Sequence, residues 1–80
     1  MSFFNTLSNA TKISVLQSSR DQLSTELTAI LLRHGIDPEV FDFTDEASLD
    51  NYEMSGDIVR VEQICAGLQI IASKLTALGV

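Results

Sequence analysis

Eighty residues with a single cysteine make one small domain at most, without an internal disulfide. Net charge −6, from eleven carboxylates against five lysines and arginines, argues against direct binding to nucleic-acid phosphates, which needs clustered cations to displace counterions. One histidine and one cysteine without paired-ligand spacing argue against a structural zinc.

The N-terminus, MSFFNTLSNATK, lacks a basic region followed by a long apolar run, so no signal peptide is expected. No segment approaches the eighteen consecutive apolar residues of a membrane span. A soluble, cytoplasmic protein is the expectation, and single-cysteine usage suits a reducing compartment. A chain of this length buries only about 60% of its unfolded surface. With no disulfide or metal to supplement the core, a second copy or a larger protein partner is the expected supplement.

Residues 9–34 read as a long amphipathic helix. Ile13, Leu16, Leu23, Leu27, Ile30 and Leu31 recur at three- and four-residue steps. Ser14, Ser18, Asp21, Gln22, Thr25 and Glu26 make the polar side. Asn5, Ser8 and Asn9 are all candidate N-caps. The far end is sharply marked. Arg33 and His34 suit the negative end of the helix dipole, and Gly35 suits the left-handed stop, with Ile36 placed to touch Leu31. Pro38 then prevents continuation.

Residues 35–56 form an acidic connector. The stretch 37–57 holds eight carboxylates and no lysine or arginine. Asp37-Pro38 is a good N-cap and first-turn pair, so one or two helical turns are expected over 38–43. Thr44-Asp45-Glu46 is a second start signal, predicting a short helix in which Leu49 and Tyr52 share a face, ending at Ser55-Gly56. An EF-hand calcium loop fails on spacing: no start at Asp42, Asp45, Asp50 or Asp57 gives the required glycine and glutamate. An irregular site from Asp42, Asp45, Glu46 and Asp50 competes poorly with carboxylates at helix starts.

Residues 57–78 read as the second long helix, capped by Asp57 and closed by Gly79. Val61, Ile64, Leu68, Ile71, Leu75 and Leu78 alternate steps of three and four, a heptad-like seam. At about 100° per residue, Val59, Ala66, Ile70 and Ala77 make a second apolar stripe opposite the first. A helix apolar on two sides has neighbours on both. The first helix supplies one; the other is a second copy, a partner, or the connector folded back. Gly67 weakens a helix interior by about 1 kcal/mol, which fits a place where another backbone comes close.

Nothing assembles into a catalytic constellation. His34, the sole candidate base, stands beside a helix end, and Cys65 falls on the apolar seam, where a thiol packs as a small hydrophobe. No cofactor motif is present, and no enzymatic activity is expected.

Arg20 projects within the apolar stripe of the first helix. Either it pairs with a carboxylate of the acidic segment across a helix or subunit boundary, or its stem covers apolar surface while the guanidinium reaches water. Phe41, Phe43, Tyr52 and Met54 alternate with acids and either cap the helical pair or present aromatic anchors in a negative rim. Phe3 and Phe4 are likewise divided between capping the opposite end and reaching a neighbour.

The sequence therefore predicts an all-α fold. Residues 1–80 form one domain, an antiparallel helical hairpin with short helical turns in its connector, pairing into a four-helix bundle or packing on a partner. The expected function is a non-catalytic interaction or assembly protein. Its partner-binding residues are Val59 and Ile70, and its oligomer seam is Val61, Ile64, Leu68, Ile71 and Leu75 with Arg20. The competing reading is an acidic inhibitor or nucleic-acid mimic, with Asp42, Phe43, Asp50, Tyr52 and Glu53 docking a basic surface on another protein.

Overall fold

The computed structural model describes residues 2–80, apart from the side chains of residues 46–48. Among the described residues the chain is helical without strands: α1 spans Asn9–Arg33 and α2 spans Ile58–Ala77, with 3-10 turns at Phe4–Thr6 and Glu46–Asn51.

Each end of α1 follows from local chemistry. Ser8 is the N-cap, accepting from the Thr11 amide at 3.2 Å, one of the orphan donors every helix start leaves. At the other end Gly35 sits at φ +71°, and the Ile36 amide donates to Leu31 O at 2.9 Å while Gly35 donates to Leu32 O. These two bonds make a Schellman stop. The end of α2 repeats it: Gly79 is at φ +84°, with Val80 donating to Leu75 O and Gly79 to Thr76 O.

The helices run antiparallel because their apolar faces are paired in reverse order. Leu16 of α1 packs with Ile71 and Leu75, while Leu27, Ile30 and Leu31 pack with Val61, Ile64, Cys65 and Leu68. Val61 and Ile64 are fully buried. The five residues expected on an oligomer seam, Val61, Ile64, Leu68, Ile71 and Leu75, are therefore consumed within the chain, at no more than 7% exposure. The reason is simple: α1 supplies the partner face that the spacing demanded.

The connector folds onto one flank of the hairpin. Leu49 and Met54 are buried in the larger core cluster, with Phe41, Phe43 and Tyr52 half-buried against it. Phe41 and Tyr52 meet with ring centroids 5.7 Å apart. Gln69 in mid-α2 donates to Phe43 O at 3.1 Å and fixes the crossing. Asp37 accepts from the Glu39 amide at 2.9 Å, starting a turn that closes at Val40. The helix expected from Thr44 begins two residues later and ends at Asn51, as a 3-10 segment. Thr44 donates through both its amide and its hydroxyl to Asp42, at 2.9 and 2.6 Å. The expected contribution of Glu46 lies outside the described side chains.

Phe4 packs on the Leu16, Ile71 and Leu75 cluster, with the ammonium groups of Lys12 and Lys74 5.3 and 5.5 Å from its ring. Phe3 is exposed. The two phenylalanines thus divide, one capping the hairpin and its neighbour facing solvent. No helix among the described residues is long and apolar enough to cross a membrane.

Candidate functional site

Among the described residues, two apolar surfaces of the helical pair involve α2, while Val15 and Leu32 of α1 are exposed as well. The first is the outer stripe of α2. Val59 is 62% and Ile70 57% exposed, and Ala66 and Ala77 are exposed with them. The connector does not cover this stripe. Its Leu49 lies near Cys65, Glu62 and Ala66, along one edge of the stripe, and leaves Val59 and Ile70 exposed. Val59 and Ile70 lie eleven residues apart, so the stripe between them is roughly 16 Å long at helical rise.

The second surface is a groove of about 530 Å³ between the helices. Leu27 and Leu31 of α1 and Leu68 and Leu75 of α2 line it, with Phe41 and Phe43 at the connector end. Thr28 and Thr76 stand on its rim. Their hydroxyls donate to Ser24 O and Ala72 O, one turn back on their own helices, so neither hydroxyl hydrogen is offered to the groove. Arg20 is the one charged side chain among the described residues on the wall.

Arg20 lies where its helical position put it, in the apolar stripe, but its partner differs from expectation. It contacts its neighbour Asp21 at 3.4 Å, with side chains 46% and 73% exposed. No carboxylate of the acidic segment reaches it among the described residues. An exposed pair of this kind contributes little. The other four cations are better engaged. Arg60 holds Glu26 through two bonds of 2.5 and 2.7 Å. Arg33 holds Asp57 at 2.8 Å, and Lys12 and Lys74 flank Phe4. The hydrogen bonds from Arg60 hold the Glu26 carboxyl below its usual range and raise the Arg60 pKa in return.

The Asp57 cluster was not legible from local pattern. Asp57 occupies the N-cap position but makes no side-chain cap bond. Its Oδ2 instead meets His34 Nε2 and Arg33 Nη2, each at 2.8 Å. Hydrogen bonds from His34 and then Arg33 lower its pKa below the ordinary aspartate value. His34, expected to complement helix carbonyls, thus clamps the end of α1 to the start of α2. Gly67 needs a similar correction. A Cβ there would meet Leu23 Cδ1 at 3.1 Å, so the close neighbour is a side chain of α1 and not a backbone.

The connector residues separate into two groups. Phe43 and Tyr52 are half-buried on the core and Met54 is 2% exposed, so they are anchors of the connector itself. Asp42 is exposed but bound by Thr44, whose hydroxyl and then amide lower its pKa. Asp50 and Glu53 are exposed. No group of three His, Cys, Asp or Glu side chains among the described residues is arranged to hold a metal ion. No known family, curated protein or solved structure matches this chain.

Proposed function

We propose that this protein is a non-catalytic assembly module that associates with further copies of itself through apolar helix surface. The observation that carries this reading is the stripe on α2. A helix fully paired with α1 on one side still exposes Val59 and Ile70 on the other. Leaving β-branched aliphatic groups in water forgoes about 25 cal/mol for each Å² a partner would cover, and a domain this small has little stability to spare. A four-helix bundle of two hairpins is the simplest closed assembly of this kind. A larger protein partner would use the same stripe.

Light scattering coupled to size-exclusion chromatography tests the proposal. The wild-type chain should elute with a mass above 8.7 kDa, and Ile70→Glu should return it to that mass with its helical circular dichroism intact. A wild-type chain monomeric at every concentration would refute it.

The acidic-inhibitor reading is supported by Asp42, Asp50 and Glu53, which are exposed in a connector lacking lysine and arginine. It ranks second because the aromatic residues it needs as anchors, Phe43 and Tyr52, are already packed on the core.

A further inference from the structure

Resting on the self-association reading, we infer that the contact is heterologous: the α2 stripe of one copy lies in the Arg20 groove of the next, with Glu62 on Arg20. Three features fit. The first is length. The groove wall on α1 runs from Arg20 to Leu31, roughly 16 Å, enough to take the Glu62–Ile70 part of the stripe, roughly 12 Å, with Val59 lying about one turn beyond the Arg20 end.

The second is charge. Among the described residues Arg20 is the one charged side chain on the groove wall, and its one ion pair is with an exposed neighbour at 3.4 Å. Glu62 is exposed and sits on the border of the stripe, three residues after Val59 and four before Ala66, without an ion pair among the described residues. The third is register. With Glu62 opposite Arg20 and the incoming helix parallel to α1, Ala66 falls opposite Ser24, so two small residues allow close approach. Ile70, eight residues or roughly 12 Å beyond Glu62, then falls opposite Thr28, over Leu27, Leu31 and Leu68. A stripe-on-stripe pairing would leave both the groove and Arg20 unused.

Stripe and groove occupy different faces of α2, so each copy holds two neighbours. Contacts of this type close into rings or continue as open chains, and species larger than dimers are expected from the wild type.

The test is complementation between two disabled variants. Ile70→Glu spoils the stripe and keeps the groove, whereas Ala72→Trp fills the groove from an exposed position on its wall and keeps the stripe. Each alone should be monomeric by light scattering with unchanged helicity, and a 1:1 mixture should give a discrete species of twice the chain mass. If Ala72→Trp associates as the wild type does, the stripe pairs with itself and the inference is wrong while self-association stands. If the wild type associates and the mixture stays monomeric, the inference also fails. A wild type monomeric throughout would remove the reading beneath it. Charge reversal gives a second measurement that leaves the groove unfilled: Arg20→Glu and Glu62→Arg should each weaken association about tenfold, and the double variant should recover it. No recovery would overturn the pairing.

Discussion

Asp57 shows how one side chain can bind two helices together. Its carboxylate receives Arg33 and His34 at 2.8 Å from the end of α1, and these contacts lower its pKa. A depressed folded-state pKa means stability that is present above the unfolded value, near 3.9, and lost as pH falls through the folded value. Glu26, lowered by Arg60, adds in the same direction. Asp57→Asn should therefore melt below the wild type at pH 7, with the gap closing in acid. Melting curves from pH 7 to pH 2 check this, and a gap constant across that range would contradict it. The sequence concealed the cluster because its partners lie 23 and 24 residues apart. Capping rules are local, and they placed Asp57 correctly at the start of α2 while assigning its carboxylate to the wrong donor.

Core and surface isoleucines on α2 make a direct comparison. Ile64 is fully buried and Ile70 is 57% exposed. Ile64→Ala should destabilise the fold by about 2–5 kcal/mol through lost transfer energy and a residual cavity. The same truncation at Ile70 should stay within about 0.5 kcal/mol in the monomer while weakening assembly. Urea denaturation at low protein concentration separates the two effects.

The ends of the two long helices were legible to within a residue or two, because their signals are short-range. Ser8 caps α1, and Gly35 and Gly79 take the positive φ that a Schellman stop requires. Gly35→Ala should cost about 1–2 kcal/mol, since a Cβ is strained in the left-handed region. Gly67 is a different case, at ordinary helical φ. Alanine there adds about 1 kcal/mol of helix propensity but presses on Leu23 Cδ1 at 3.1 Å. Leu23 is only half-buried, so its end can shift. Gly67→Ala should be near neutral, and Gly67→Leu should lose about 1–3 kcal/mol to overpacking. Thermal denaturation distinguishes these outcomes. The connector was harder to read. Its short helix forms as a 3-10 segment over Glu46–Asn51, and Asp42 holds Thr44 in a turn just before it.

For the whole molecule, periodicity revealed the two faces of α2 but not which would remain open. That depended on the path of the connector. Gln69 pins it at Phe43, and Leu49 and Met54 bury it beside the larger core cluster. This path leaves the Val59–Ile70 stripe bare and helps wall the groove beside it. The groove had no signature in the sequence, since its walls come from three separate segments; Arg20, an arginine in an apolar stripe, was its only trace.

The most direct test of self-association is sedimentation equilibrium of the wild-type chain across a wide concentration range, in 0.1 M and 0.5 M NaCl. The Debye length falls from about 10 Å to roughly 4 Å between these conditions, whereas aliphatic packing is little affected. An average mass that climbs above 8.7 kDa with concentration in both buffers is the predicted result. A mass fixed at 8.7 kDa, or association that disappears in the higher salt, would contradict it.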